Sequence, residues 1–223
     1  MAKKIDTSEA SKPNTKELKK RGQSPKLLRK REKILAKSGQ LFWKKSYLGT
    51  SISDIAKASG LNKSAVFYYF DNKVSILYTI ATDSLKELIE QAKSILNSDQ
   101  PAPKKLGLLI TTHFGWQTTN VGAAIGQLER RNLTPKLLRD MDALRNQYED
   151  IFIKIIKEIM VQRNCQISEA QNKIITRFVL GFANSLIQWY KPSGRLSAEE
   201  IAAQASSFIF KGLDSFPIDS ECK

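Results

Sequence analysis

The stretch 50–70 most constrains the fold, because it places two short helical patterns on either side of one glycine. Thr50 and Ser51 can cap a first helix that carries three apolar residues. Gly60 can supply the left-handed backbone that closes this helix, and a second short helix is expected over 62–70. A short helix, a tight turn and a second short helix have the spacing of a helix-turn-helix.

The segment LNKSAVFYYF, residues 61–70, divides into two faces at helical spacing. The expected buried face holds Ala65, Val66, Tyr69 and Phe70. The expected outward face holds Lys63, Ser64, Phe67 and Tyr68. Small Ser64 would let the backbone approach a base edge, and Lys63 can donate to guanine or to phosphate. The alternative is a helical hairpin in an ordinary bundle.

Apolar spacing near 3.6 residues continues through most of the remaining chain, and we find no period-two alternation. We therefore predict an all-α fold. Helices are expected over 25–45, from a cap at Asp71 or Asn72 to 96, and over 104–119, 121–132, 135–159, 168–189 and 198–213. The expected organisation is a basic arm (1–24), a three-helix DNA-binding head (25–72), a helical ligand-binding and dimerisation body (73–216) and a tail (217–223).

The formal net charge of +14 predicts a polyanionic partner, either nucleic acid or an anionic membrane surface. More than half of that charge lies in the first 33 residues. A membrane-surface protein would carry basic residues along a whole helix face, whereas here they gather in one arm and one head. This distribution favours double-stranded DNA over a membrane, and the arm is interpreted either as a solubilising tail or as a segment that tracks phosphates.

The cysteine and histidine residues and the motif content of the sequence indicate no catalytic or metal site. Cys165 and Cys222 lie far apart without CxxC spacing, and His113 has no partner at metal-ligand spacing, so neither a disulfide framework nor zinc is expected. We find no Walker loop, nucleophile elbow or HExxH motif. No apolar run reaches the roughly 18 residues of a membrane span. We expect a cytoplasmic protein that is not an enzyme and needs no cofactor.

Two segments carry a resemblance to a known family. TSISDIAKASGLNKSAVFYYFDNKVSIL (50–77) resembles the DNA-binding signature of TetR-type transcriptional repressors, and REKILAKSGQLFWKKSYLGTS (31–51) resembles that family's first helix and its lead into the motif. The resemblance implies a homodimeric, ligand-responsive repressor with a three-helix head and a larger body that binds a small effector.

The resemblance also implies roles for single residues in DNA binding. Ser51 and Thr50 at one helix start, and Lys73 at another, would meet phosphate, as helix N-termini favour anions. The expected contact set is Thr50, Ser51, Asn62, Lys63, Ser64, Phe67, Tyr68 and Lys73. The chain departs from the family at Phe67, where tyrosine is usual, and at Ser46, where glycine is usual. A left-handed serine would be mildly strained, and Phe67 offers a thymine methyl an apolar contact.

The C-terminal half resembles one subgroup of that family, whose members sense acyl-CoA or related CoA thioesters and repress fatty-acid or steroid catabolism. The resemblance lies in GFANSLIQWYKPSGRLSAEEIAAQASSFIFKGL (181–213) and GQLERRNLTPKL (126–137). The expected effector-binding residues are Phe114, Trp116, Gln127, Arg130 and Trp189. The alternative effector is a drug-like hydrophobic compound, as in regulators of efflux. We expect the homodimer to close through the last two helices, where Phe178, Phe182, Phe208 and Ile209 supply apolar surface.

Overall fold

The computed structural model describes residues 24–215, and these form ten α-helices and one short 3-10 helix, with no strand among them. The helices are α1 (Pro25–Lys45), α2 (Ile52–Ser59), α3 (Lys63–Tyr69), α4 (Lys73–Leu96), α5 (Ala102–Thr119), α6 (Val121–Leu128), α7 (Pro135–Gln162), α8 (Glu169–Asn184), α9 (Leu186–Trp189) and α10 (Ala198–Asp214). The 3-10 helix is Arg130–Asn132. The predicted all-α fold is confirmed. Most of the expected arm and all of the expected tail lie outside the described residues.

Side-chain caps fix the helix starts that the sequence predicts. Ser197 and Glu200 form the predicted capping box of α10. Asn72, rather than Asp71, caps α4 by accepting a 2.8 Å hydrogen bond from the amide of Ser75.

Two predicted helices are shorter than expected. The helix predicted over 168–189 stops at Asn184, where the Ser185 hydroxyl donates to the Phe182 carbonyl at 2.7 Å and a separate short helix follows. The helix predicted over 121–132 ends at Leu128 and gives way to the 3-10 helix.

The chain divides into two compact units between Ile80 and Ala81. The first unit, the head, contains α1 to α3 and the first turns of α4. This division falls later than the expected boundary at 72/73, because Ile76 and Leu77 are buried with the head core. That core is built from apolar side chains with almost no exposure, namely Ile34, Phe42, Ile55, Val66 and Phe70. Arg31 is also buried there, with its guanidinium 5.0 Å from the ring centre of Phe70.

The second unit, the body, packs the rest of α4 together with the helices that follow it. Its core joins side chains from α4, α5, α7, α8 and α10, of which the most completely buried are Leu88, Leu106, Leu109, Phe114, Phe152, Ile155 and Ile156. The helix α7 contributes a long row of these residues, as its apolar pattern predicts. Because α4 begins in one unit and ends in the other, a single helix runs through the division.

The prediction about cysteine pairing involves Cys222, which lies outside the described residues. None of the helices within 24–215 is both long and apolar enough to cross a membrane.

Candidate DNA-binding face and effector cavity

The helix α3 is held by its buried side and presents the predicted contact residues on its other side. Val66 is fully buried and Phe70, at the C-terminal cap, nearly so. Asn62 caps the helix by accepting a 2.8 Å hydrogen bond from the amide of Ala65. The exposed face carries Lys63, Ser64, Phe67 and Tyr68, of which Phe67 is 45% and Tyr68 64% exposed. We name these four residues the α3 face.

The start of α2 is occupied by a carboxylate that sequence reasoning missed. Asp54 accepts hydrogen bonds from the Ser51 amide at 2.9 Å and from its hydroxyl at 2.7 Å. These bonds hold the pKa of Asp54 below its ordinary value. Ser51 is exposed, as a phosphate contact requires, but the site at this helix start already contains a negative group. The Ser-x-x-Asp spacing of a capping box was the available signal.

Thr50 does not have the position that the resemblance implies. Its side chain is only 2% exposed, and its hydroxyl donates to the carbonyl oxygen of Ser46 at 2.9 Å. A phosphate contact through this side chain does not fit that geometry. Thr50 instead stabilises the loop that joins α1 to α2.

Lys73 also lies inside the head rather than extended toward solvent. Its ammonium donates to the carbonyl oxygens of Tyr47 at 2.8 Å and of Thr50 at 2.7 Å. Two of its three donors are therefore used within the head, against the predicted phosphate contact. Lys73, at the start of α4, therefore acts as the hydrogen-bond donor to these carbonyl groups of the loop between α1 and α2.

The loop 46–50 has a strained backbone at Ser46, the position at which glycine is usual in the family. Ser46 has φ 64° and ψ 166°, a region that glycine adopts far more readily than serine. Three residues later, a Cβ atom on Gly49 would lie 2.2 Å from the carbonyl oxygen of Lys45. The loop therefore has no space for a side chain at Gly49, while Ser46 is tolerated with strain.

The body contains a cavity of about 350 Å³. One wall is apolar and includes Ala81, Leu85, Leu88, Ala123 and Met141. Another wall is polar and includes His113, Gln117, Gln127, Tyr148 and Asn184, which we name the polar cluster. Charged side chains of α7 and α8 also line the cavity, among them Arg145, Glu149 and Arg177. This volume and mixture are those of a small-molecule site.

The polar cluster is a connected chain of hydrogen bonds. His113 Nδ1 lies 3.1 Å from the Tyr148 hydroxyl and Nε2 lies 3.2 Å from Asn184 Oδ1. Gln117 Nε2 donates to Asn184 Oδ1 at 2.8 Å and to Gln127 Oε1 at 3.3 Å. Since Asn184 Oδ1 is an acceptor, the network assigns the imidazole proton to Nε2 and makes Tyr148 the donor to Nδ1.

Burial keeps this cluster uncharged. It lowers the pKa of His113 to about 4 and raises the pKa of the Tyr148 hydroxyl. The imidazole and the phenol are therefore both neutral near pH 7. The polar cluster thus offers neutral hydrogen-bond donors and acceptors to the cavity.

The predicted effector residues separate into two groups. Trp116 and Gln127 line the cavity, and the Trp116 indole donates to the Ser84 hydroxyl at 2.8 Å. Phe114 is not among the residues that line this cavity, and its side chain is 1% exposed within the body core. Arg130 lies outside the lining, where it donates to both carboxylate oxygens of Asp142 at 2.6 Å.

Trp189 belongs to a different surface. It is exposed, its indole donates to the Ser185 hydroxyl at 3.1 Å, and it lines a separate depression with residues of α8 and α10. His113, which was not among the expected effector-binding residues, is buried and hydrogen-bonded and also lines the cavity. Its spacing from Trp116 and Gln117, three and four residues along one helix, was the signal that places them on one face.

The surface of α8 and α10 carries large apolar side chains that the described residues leave exposed. Phe178 is 67% and Phe208 70% exposed, and the rings of Phe182 and Phe208 stack with centres 5.8 Å apart. Ile174 on α8 is also exposed. Contiguous apolar surface of this kind marks an interaction site.

Comparison with known proteins places this geometry in a family. Residues 34–78 match the family model described as "Bacterial regulatory proteins, tetR family", and residues 99–213, just over half of the chain, match "Tetracyclin repressor-like, C-terminal domain". The HTH-type transcriptional repressor KstR2 of Rhodococcus jostii (strain RHA1) is 24% identical over 188 residues, which cover 83% of this chain and 92% of that repressor.

Solved structures agree with this assignment. PfmR, a TetR family transcriptional regulator from Thermus thermophilus, superposes with a TM-score of 0.72 at 27% identity, over 80% of this chain and 97% of PfmR. AibR, solved in complex with isovaleryl coenzyme A and operator DNA, has a TM-score of 0.74 at 22% identity, over 81% and 98%. The predicted family is confirmed: the chain belongs to the TetR family of bacterial regulatory proteins.

Proposed function

We propose that this TetR-family repressor binds its operator through the α3 face and is released by a small acyl thioester in the body cavity. The observation that carries the DNA-binding role is the α3 face itself. A helix anchored by buried Val66 and Phe70 presents a cation, a small hydroxyl and two aromatic rings together. In a helix-turn-helix, the second helix enters the major groove and its exposed side chains meet base edges.

The DNA-binding proposal is tested by measuring operator affinity against salt. Lys63→Ala removes one cation, so affinity should fall and the slope of log K against log salt should decrease by about 1. Tyr68→Ala should lower affinity with little change in that slope. Lys154→Ala is the control, because Lys154 is an exposed lysine of α7 in the body. Unchanged affinity and slope in both head variants would show that α3 is not in the groove.

Phe67 is the position at which the proposed DNA-binding surface lacks the hydroxyl group that is usual in the family. Without a hydroxyl, this ring offers an apolar surface that suits a thymine methyl group. Phe67→Tyr adds one hydroxyl at an exposed position, so we expect tighter operator binding by about fivefold if phosphate is in reach. The same variant should not change thermal unfolding, since the ring is about half exposed.

The cavity supports an acyl thioester by the arrangement of its walls. Apolar residues of α4, α6 and α7 suit a short acyl chain, and the polar cluster offers neutral hydrogen-bonding groups. Arg145 and Arg177 can meet the phosphates of a CoA head. The complex of AibR with isovaleryl coenzyme A supports this ligand class for a protein of the same fold. A drug-like hydrophobic compound is the alternative, favoured by the apolar wall alone.

A cavity-filling variant separates the effector from the operator. A Cβ on Gly181 would meet no atom within 4 Å, and Gly181 lines the cavity. Gly181→Leu should therefore remove release by acyl-CoA while leaving operator binding intact. Gly107→Leu is the matched control, because this glycine also has open space but lies outside the lining. Release by acyl-CoA that persists in Gly181→Leu would place the effector elsewhere.

The ligand would act by shifting populations. A dimer positions two heads for half-sites about one helical turn apart, and we propose that α8 and α10 supply its interface. An effector releases such a dimer only if it binds the released arrangement more tightly than the DNA-bound one. The cavity accordingly has a sensing role and no catalytic one, and the cytoplasm, where operator DNA lies, is the proposed place of action.

A further inference from the structure

The helix α1 carries most of the positive charge of the head. It contains eight basic residues and one acidic residue, whereas α2 and α3 contain one basic residue each. Four of the eight are exposed and line one shallow surface groove, namely Lys26, Arg29, Lys30 and Lys33. Their spacing of three, four and seven residues places them on one face of the helix, and we name them the α1 stripe.

The charges of the α1 stripe are not compensated within the described part of the chain. None of its four side chains forms an ion pair with a carboxylate of residues 24–215. Cations three and four residues apart on a helix repel one another, so the stripe lowers the stability of the isolated protein. A polyanion that lies along the stripe offsets this repulsion.

The α1 stripe leads toward the start of α3. The ammonium group of Lys33 lies 3.5 Å from the position that a Cβ atom on Gly60 would take. Gly60 forms the turn between α2 and α3, just before Lys63 at the start of α3. The stripe is about 10 Å long at roughly 1.5 Å per residue, so it runs along the head from the first turn of α1 to this turn.

The residues that the family resemblance assigns to phosphate contact are largely used elsewhere in this head. Roughly half to two thirds of the hydrogen bonds in protein–DNA complexes go to phosphate and sugar. Thr50 and Lys73 bond to carbonyl oxygens of the loop 46–50, and Asp54 places a carboxylate at the start of α2. Lys63 is the one cation of the α3 face, so further phosphate contacts must come from another part of the head.

Resting on the proposed function, we infer that the α1 stripe binds backbone phosphates of the DNA beside the major groove that α3 enters. The stripe supplies affinity for any sequence, and the α3 face supplies the choice of sequence. A helix that lies on an anionic membrane also inserts large apolar side chains. On α1 the exposed large apolar side chain is Trp43, in the last turn and away from the stripe, so DNA fits this surface better.

The test neutralises the α1 stripe in the full-length protein with four substitutions made together, Lys26→Gln, Arg29→Gln, Lys30→Gln and Lys33→Gln. The control does the same to four exposed cations of α7, again three lysines and one arginine, namely Lys136, Arg139, Lys154 and Lys157. The probes are two DNA duplexes of about 30 base pairs, roughly three helical turns. One has a mixed sequence, and the other is selected from a random pool by the wild type.

The affinity for both duplexes is measured against salt concentration. Loss of four phosphate contacts should make the slope of log K against log salt less steep by about 3 to 4. At about 0.1 M salt the affinity should fall roughly tenfold or more for both duplexes, so their ratio stays unchanged. Thermal unfolding should be unchanged or slightly higher, because repulsion is removed.

Two double variants divide the effect. Lys26→Gln with Lys30→Gln, and Arg29→Gln with Lys33→Gln, should each make the slope less steep by about 2.

A slope for the stripe variant equal to that of the α7 control would overturn the inference, while a loss of operator affinity in Lys63→Ala would keep α3 in the groove. Phosphatidylglycerol vesicles that capture the wild type but not the stripe variant, with the DNA slope unchanged, would assign the stripe to a membrane surface instead. If Lys63→Ala and Tyr68→Ala bind the selected duplex as the wild type does, the proposed function fails and the inference fails with it.

Discussion

The ammonium group of Lys73 lies 4.2 Å from the ring centre of Tyr47 and donates a hydrogen bond of 2.8 Å to the carbonyl oxygen of the same residue. A second bond of 2.7 Å reaches the carbonyl oxygen of Thr50. The start of α4 is thereby tied to both ends of the loop that leads into α2. This contact holds the helix-turn-helix against the helix that continues into the body.

Lys73→Met should destabilise the head. The substitution removes a cation and leaves two loop carbonyls without their donor, so we expect a loss of roughly 1 to 3 kcal/mol in the free energy of unfolding. Denaturant unfolding of the variant measures this, with Lys154→Met in the body as the control for loss of an exposed cation. A phosphate-contacting Lys73 would behave differently, with normal stability and a smaller salt dependence of operator binding.

Ser46→Gly should stabilise the protein. The φ of 64° and ψ of 166° at Ser46 are easily adopted by glycine, and strain of this kind costs about 1 to 3 kcal/mol for other residues. Part of the gain is lost, since the Ser46 hydroxyl accepts a 3.3 Å bond from the Gly49 amide and glycine is more flexible when unfolded. We expect a net gain of about 1 kcal/mol by denaturant unfolding.

The control for this substitution is Ser53→Gly, at an exposed position within α2. Glycine is a poor helix residue, so this variant should be less stable than the wild type by a few tenths of a kcal/mol, roughly. Equal changes in the two variants would show that the backbone at residue 46 is not strained.

The positions of the helices were predicted from the sequence more accurately than the roles of single side chains. Periodicity and capping are local, so the two short helices around Gly60 and the cap of α10 could be read directly. The roles of Thr50 and Lys73 could not, because each side chain bonds to a carbonyl of the loop 46–50, and such tertiary bonds leave no periodic signal. Resemblance placed both at phosphate, whereas the described geometry places both inside the head.

The residues of the cavity were also predicted only in part, because lining a cavity depends on tertiary packing as well as on local sequence. Trp116 and Gln127 were identified as lining residues, but Phe114 was not distinguished from its neighbours on α5. Which face of an amphipathic helix meets a cavity depends on the helices packed around it. His113 was not among the expected effector-binding residues for the same reason, since its partners Tyr148 and Asn184 are 35 and 71 residues away.

The apolar surface of α8 and α10 predicts a dimer that one charge should break. Phe208 is 70% exposed and stacks on Phe182, so Phe208→Glu would place a carboxylate in the centre of the proposed interface. We expect a monomer by sedimentation and a large loss of operator affinity, because one head reaches one half-site. Val161→Glu, at an exposed valine of α7, is the control and should stay dimeric. A dimeric Phe208→Glu protein would move the interface to another surface.

The buried imidazole predicts how stability depends on pH. The pKa of His113 is lowered to about 4 from an ordinary value of 6.5, so between these values the unfolded chain binds a proton that the folded protein does not. The free energy of unfolding should therefore be largest above pH 6.5 and fall as the pH drops, by about 3 kcal/mol at pH 4 from this group.

The measurement is denaturant unfolding between about pH 7 and about pH 4.5, the range over which the linkage acts, for the wild type and for His113→Phe. Phenylalanine keeps a ring at this position and does not titrate, although it loses the bonds to Tyr148 and Asn184 and starts from a lower stability. The difference between the two proteins should shrink as the pH falls, because only the wild type must keep an imidazole neutral. A difference that stays constant over this range would mean that His113 titrates near its ordinary pKa and that burial does not keep the imidazole neutral.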